Sequence, residues 1–165
     1  MALIEPPAGT SAWPYVIQYD STAGPRGLPL LKPPYRRITA IHLNSGEHAW
    51  QIPFGKGPSD HPAIAHLNLG ELGSHFNDVV AEGGILITDT LLISYLAQKD
   101  ELSEDASGSI LRAHDKTTGQ LLASLMVEQR LHGAPMSYSV DGRQYIAVAG
   151  GGRAEDGELI VFALP

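Results

Sequence analysis

Seven histidines and no cysteine set the limits of the chemistry this chain can do. Without thiols there is no disulfide, no thiolate nucleophile and no zinc–sulfur centre, and the redox compartment is not legible. His61, His66 and His75 fall in one stretch rich in Pro and Gly. Imidazole is a good zinc or copper ligand, but their spacing matches none of the known ligand patterns, so they read as polar loop residues and no metal site is assigned. Ser74, His75 and Asp78 offer a nucleophile, a base and an acid by type. Residues so close in sequence seldom point at one another, and no Gly-x-Ser-x-Gly elbow is present, so a hydrolase is not supported. Gly150-Gly151-Gly152 follows an apolar run, yet no helical pattern comes after it to bind a dinucleotide phosphate. Trp13, Trp50, Tyr35 and Tyr145 supply flat surfaces on which a planar cofactor could stack, although aromatics of this kind more often pack between sheets. No catalytic residue is assigned.

The elements that position these groups read as β structure. Of the 165 residues 43% are apolar, enough for a core, while only 18% are charged and Gly numbers 18 and Pro 12. That balance favours short elements joined by turns over long surface helices. A net charge of −7 with 11 Lys and Arg excludes phosphate-backbone binding, so no nucleic-acid partner is expected. No apolar run reaches the roughly 20 residues of a membrane span, and Met1–Gly9 lacks the basic start and apolar stretch of an export signal.

A repeat organises the pattern. Ile38-Thr39-Ala40-Ile41-His42-Leu43-Asn44-Ser45-Gly46 aligns without a gap with Leu111-Arg112-Ala113-His114-Asp115-Lys116-Thr117-Thr118-Gly119. Each copy reads as strand, tight turn and strand, with glycine where positive φ is needed. The copies lie further apart than the roughly 40–50 residues of one propeller blade. An insertion over Lys56–Asn77, with a short helix near Ala63–Leu67, accounts for the excess. Further strands are predicted at Tyr15–Tyr19, Ile85–Thr88, Leu91–Leu96, Met136–Val140, Gln144–Ala149 and Leu159–Leu164, with Asp141-Gly142 as a hairpin turn. Gln98–Ser109 reads as an acidic, solvated loop.

The form Ala40-x-His42-x-x-Ser45-Gly46-x-x-x-Trp50, repeated as Ala113-x-Asp115-x-x-Thr118-Gly119-x-x-x-Ala123, resembles the blade motif of the pyrroloquinoline-quinone (PQQ) dehydrogenases. Trp13-Pro14-Tyr15, Gly27-Leu28-Pro29, Lys32-Pro33-Pro34-Tyr35, Gly83 to Thr88, Ala134 to Tyr138, Asp141 to Tyr145 and Ala163-Leu164-Pro165 are similar, in that order, to the C-terminal end of the membrane-associated, glucose-dehydrogenase-like branch. The resemblance implies an all-β chain forming part of a β-propeller, about two to three blades of four-stranded antiparallel sheets with a long His-, Pro- and Gly-rich loop. Residues 1–55 would carry the blade with the Trp motif, 56–82 the insertion and 83–165 further blade strands. The Trp of the motif docks between neighbouring blades in that family. His42 in place of Asp, Ala123 in place of Trp, the acidic loop and the short loop after Gly152 depart from it, and leave the substrate unassigned.

What the resemblance implies about function concerns a parent enzyme. It would oxidise a glucose-like sugar or an alcohol with PQQ and a calcium or magnesium ion, and pass electrons to a membrane quinone at a periplasmic or membrane-associated location. The base and the metal ligands lie in earlier blades, so this chain alone is expected to be inactive. Its partners would be the remaining blades, or itself. Gly133, Ala134 and Pro135, read as a turn, and Gly151, Gly152 and Arg153 are placed nearest the propeller mouth, as the candidate cofactor-facing residues. The alternative is a noncatalytic propeller-repeat module used for binding or assembly, with the His-rich loop as its contact surface.

Overall fold

The computed structural model describes residues 2–5, 9, 15–18, 24–74, 84–99, 106–151 and 157–163. The chain forms two compact units, Met1–Lys32 and Pro33–Pro165. In the first, strands β1 (Ala2–Ile4) and β2 (Val16–Gln18) pair antiparallel. A single 3-10 turn follows at Pro25–Gly27.

The described residues of the second unit form three antiparallel sheets. Strands β3 (Arg37–Ile41) and β4 (His48–Pro53) form a hairpin. Strands β5 (Ile85–Ile87), β6 (Leu91–Lys99), β7 (Ala106–Asp115) and β8 (Leu121–Val127) form a four-stranded meander in chain order. Strands β9 (Leu131–Val140), β10 (Arg143–Gly150) and β11 (Glu158–Ala163) form the third sheet, again in chain order. The all-β expectation holds, and the four-stranded meander is the blade unit of a propeller.

Strand β6 shows how the sheets stack. Leu92 and Leu96 point to one face, where they join Ile38 and Phe54 with Trp50 and Ile52 packed against them. Tyr95 points to the other face, into a core with Val127, Leu131 and Val148. Side chains alternate across a strand, so β6 is buried on both faces because a sheet lies on each side of it. This explains why its sequence is a nearly continuous apolar run.

The repeat seen in sequence is a repeat in geometry. His42 N–H donates to the Glu47 carbonyl at 2.8 Å and Gly46 N–H to the His42 carbonyl at 2.7 Å; Asp115 N–H donates to Gln120 at 2.9 Å and Gly119 N–H to Asp115 at 2.8 Å. The two turn glycines have φ of 73° and 75°. A register break falls at the matching place in each hairpin, between Ala40 and Ile41 and between Ala113 and His114.

Several boundaries differ from those read in sequence. Gln98 and Lys99 extend β6, and Ala106–Ser109 belong to β7, with Ser109 fully buried; the two ends of the stretch read as a loop are strand, and residues 100–105 lie outside the described residues. The insertion closes on itself. Leu72 N–H donates to Lys56 at 3.0 Å, Gly73 to Gly55 at 2.8 Å and Ser74 to Phe54 at 2.8 Å, and a 3-10 turn at Ala65–Leu67 is the only regular element among its described residues. Asp141 and Gly142 both take positive φ, 51° and 77°, as a two-residue hairpin turn of this twist requires.

Candidate functional site

Gly133, Ala134 and Pro135 do not form a turn. They lie inside β9 as a bulge: Met136 pairs with Ala147 and His132 with Ala149, so three residues of β9 oppose Val148 alone. The sequence explains why. Pro135 has no N–H to give to a ladder, which confines it to edges and bulges, and Gly133 adopts a φ of 69° that other residues disfavour.

Two residues from the neighbouring sheet fix this bulge. The Tyr95 hydroxyl, on a side chain only 1% exposed, donates to the Gly133 carbonyl at 2.6 Å. Gly84, just before β5, faces the bulge so closely that a Cβ there would lie 2.2 Å from the Gly133 oxygen and 2.7 Å from Ala134 Cα. Gly151 belongs to the same neighbourhood. His132 Nε2 lies 2.6 Å from the Gly151 carbonyl, an acceptor that requires this nitrogen to carry the proton, and Gly151 N–H donates to Arg130 at 3.0 Å. The ends of β9 and β10 thus bring Gly133–Pro135 and Gly151 together. Gly152 and Arg153 lie outside the described residues.

The other residues singled out by type are dispersed. Trp50 and Tyr145 stand in different sheets. Trp50 packs on Gly119 and gives its Nε1–H to the Lys116 carbonyl at 3.0 Å, while Tyr145 stacks on Tyr138 with ring centroids 5.2 Å apart. Tyr35 sits beside the insertion, its N–H bonded to Leu72. His61 accepts the Ala63 N–H through Nδ1 within its own turn, and His66 is exposed. Among the described residues no group of three or more His, Cys, Asp or Glu is placed to hold a metal ion. Trp13, His75 and Asp78 lie outside the described residues.

Among the described residues three groups have perturbed acidity. Burial, then the Arg112 charge, pushes His114 below the usual histidine range. Hydrogen bonds from Thr118 lower Asp115, and the Lys56 ammonium at 2.7 Å lowers exposed Asp60. None of them adjoins the bulge. The sequence reading missed Tyr95 and His132, and took Gly84 only as part of a motif. A tyrosine in an apolar strand carries no signal that its hydroxyl reaches another sheet.

Comparison with known proteins gives this geometry its context. Residues 5–146 match the PQQ family model, described as the glucose/ethanol/alcohol dehydrogenase β-propeller domain. The chain is 30% identical over 96% of its length to the glycerol dehydrogenase large subunit of Gluconobacter thailandicus, of which it covers 20%. It is 28% identical over 92% of its length to the quinate/shikimate dehydrogenase (quinone) of Acinetobacter baylyi, and 25% identical over 92% to the quinoprotein glucose dehydrogenase of Escherichia coli, covering 18% of each. It therefore spans about one fifth of the length of these relatives. No solved structure matches the chain.

Proposed function

The chain belongs to the PQQ glucose/ethanol/alcohol dehydrogenase β-propeller family, and from that premise we propose that it is the C-terminal part of a quinoprotein that oxidises a sugar or an alcohol and passes the electrons to a membrane quinone. The observation that carries this reading is the family match over residues 5–146, on a chain whose two motif copies pack against each other through Trp50 and Gly119. The relatives' names span a polyol, a cyclic acid and a sugar, which supports oxidation of a carbon bearing hydroxyl and leaves the substrate open.

PQQ, when bound with calcium or magnesium, supplies a carbonyl carbon that accepts a hydride equivalent, polarised by the ion. The described residues do not fit that group as a complete site. Its carboxylates call for cations, the ion calls for carboxylate ligands and the hydroxyl proton calls for a base, whereas the bulge presents backbone groups, Tyr95 and His132. No catalytic step is derived from them. We assign Gly133, Ala134, Pro135 and Gly151 to one rim of the cofactor's surroundings, shaped by this chain and completed by blades it does not contain. The remaining blades are its proposed partner, and the periplasm or membrane surface its proposed location.

The test is reconstitution. The chain is combined with the preceding blades of its parent protein and titrated with PQQ plus calcium or magnesium, while dye-linked oxidation of glucose, glycerol and quinate is followed. PQQ-dependent turnover by the assembly, absent from the chain alone, is the expected result. An assembly that neither binds PQQ nor turns over would favour the noncatalytic propeller module.

A further inference from the structure

The face of β6 and β7 that meets the β3–β4 hairpin and the insertion buries more than apolar groups. Ser94, with no exposed surface, and His114, 5% exposed, lie on it beside Arg112, and Ser94 Oγ, Arg112 Nε and His114 Nδ1 are all buried without a hydrogen-bond partner among the described residues. Leaving one such group unpaired costs about 1–3 kcal/mol. Ser94 pairs directly with Arg112, and His114 pairs with Leu92. The three side chains therefore occupy adjacent and diagonal places on one sheet face, where side chains lie roughly 5–8 Å apart at Cβ. Arg112 is anchored by a two-pronged pair with Glu71 of the insertion, at 2.9 and 2.5 Å. That pair uses both terminal nitrogens and leaves Nε–H directed elsewhere.

The chemistry of the three atoms selects their ligand. Arg112 Nε–H can only donate. Burial disfavours the charged form of His114, and a neutral imidazole that carries its proton on Nε2 can only accept at Nδ1. The Ser94 hydroxyl does either. A cation is disfavoured by the guanidinium, and an anion by Glu71 and the imidazole lone pair. A species that accepts from one partner and donates to another, and fits between packed sheets, is water, and three partners is the usual number for a buried water. We propose that Ser94 Oγ, Arg112 Nε and His114 Nδ1 together hold one internal water molecule on this sheet face, next to the Arg112 side chain that pairs with Glu71 of the insertion.

Ser94→Val decides between a wet and a dry site by the sign of its effect. With a water present, the bulkier side chain, which puts one methyl in place of the hydroxyl and adds a second, expels it and strands Arg112 Nε and His114 Nδ1, lowering the thermal midpoint by roughly 4–8 degrees. Were the site dry, the substitution would remove an unpaired hydroxyl, and an unchanged or raised midpoint would overturn the proposal. Ser94→Ala, which leaves room for the water, should lower the midpoint less than Ser94→Val. Should the valine variant not fold, nitrogen NMR of His114 in the unaltered chain settles the matter. The neutral tautomer with a hydrogen-bonded Nδ1, showing exchange contacts to water, is expected; an Nδ1 bonded to protein or carrying the proton would overturn the site.

Discussion

The indole of Trp50 lies against Gly119, so close that a Cβ on the glycine would stand 2.7 Å from Cε3 and 2.8 Å from Cδ2. The same ring gives its Nε1–H to the Lys116 carbonyl at 3.0 Å. One hairpin turn thus serves two needs at once: Gly119 supplies the positive φ of 75° that closes it and the bare surface on which the preceding sheet docks. Gly119→Ala violates both and should destabilise the chain by more than the ~1 kcal/mol of an unfavourable backbone conformation alone. Trp50→Phe keeps a ring but loses the hydrogen bond, for about 0.5–1.5 kcal/mol. Urea midpoints of the two variants and their double mutant test this, because the losses should be less than additive if the residues act through one contact.

Tyr95 and Gly84 act on the β9 bulge from two directions. Tyr95→Phe leaves the ring in its core and removes only the hydroxyl, so the Gly133 carbonyl loses its 2.6 Å partner at a cost of about 1–2 kcal/mol. Gly84→Ala should cost more, because the atoms its Cβ meets are backbone atoms of Gly133 and Ala134, which cannot swing aside as a side chain end can. Amide exchange is the direct measurement: both variants should speed exchange around His132–Met136 while leaving the β3–β4 hairpin unchanged. Uniform acceleration through the chain would show that Tyr95 is simply a core residue.

The contrast between these contacts explains what the sequence made legible. The hairpin pair was readable because its determinants are local: the Ala-x-x-x-x-Ser/Thr-Gly spacing contains the bulge, the turn and the positive-φ glycine. The position of Trp50 followed from resemblance. The bulge at Gly133–Pro135 was mistaken for a turn because Gly and Pro mark both, and only the pairing of His132 with Ala149 shows that the strand resumes upstream. The buried Ser109, whose hydroxyl accepts the Leu131 N–H at 2.9 Å, looked like loop for a related reason: a serine that satisfies a distant backbone group has the same composition as one facing water.

The outer face of the last sheet gives a prediction about assembly. Tyr145 pairs with Tyr138, Ala147 with Met136 and Val161, and Ala149 with Leu159, so these residues share one face. Leu159 is 67% exposed, Met136 55% and Val161 43%. A contiguous apolar face of this kind beside an open edge strand promotes association. The chain alone should self-associate with rising concentration, and Val161→Lys with Leu159→Glu should return it to a monomer in light scattering. If the face is where a further blade packs, the same double variant should prevent assembly with the rest of the parent protein. A wild-type chain that stays monomeric throughout would mean the face is not adhesive.

The two turns differ at one position, and the difference is sensitive to pH. Asp115 Oδ1 accepts the N–H groups of Thr117 and Thr118 at 2.9 and 2.8 Å and the Thr118 hydroxyl at 3.0 Å, a side chain that mimics part of the turn. At the equivalent place His42 offers no carboxylate, and the Ser45 hydroxyl instead accepts the Glu47 N–H at 3.3 Å. His42→Asp should let the first turn adopt the second turn's bonding and raise the thermal midpoint by roughly 1–2 degrees at neutral pH. The bonds from Thr118 hold the Asp115 carboxyl below its ordinary pKa. A carboxyl depressed in the folded state stabilises fully above its unfolded pKa, and that contribution is lost as the pH falls through the folded value. The advantage of His42→Asp should therefore be present at neutral pH and vanish in strong acid, whereas His42→Asn, whose side-chain oxygen accepts without titrating, should keep its smaller gain. Thermal midpoints of the three proteins across that range are the check, and equal pH dependence of the Asp and Asn variants would mean that the carboxylate plays no part in the turn.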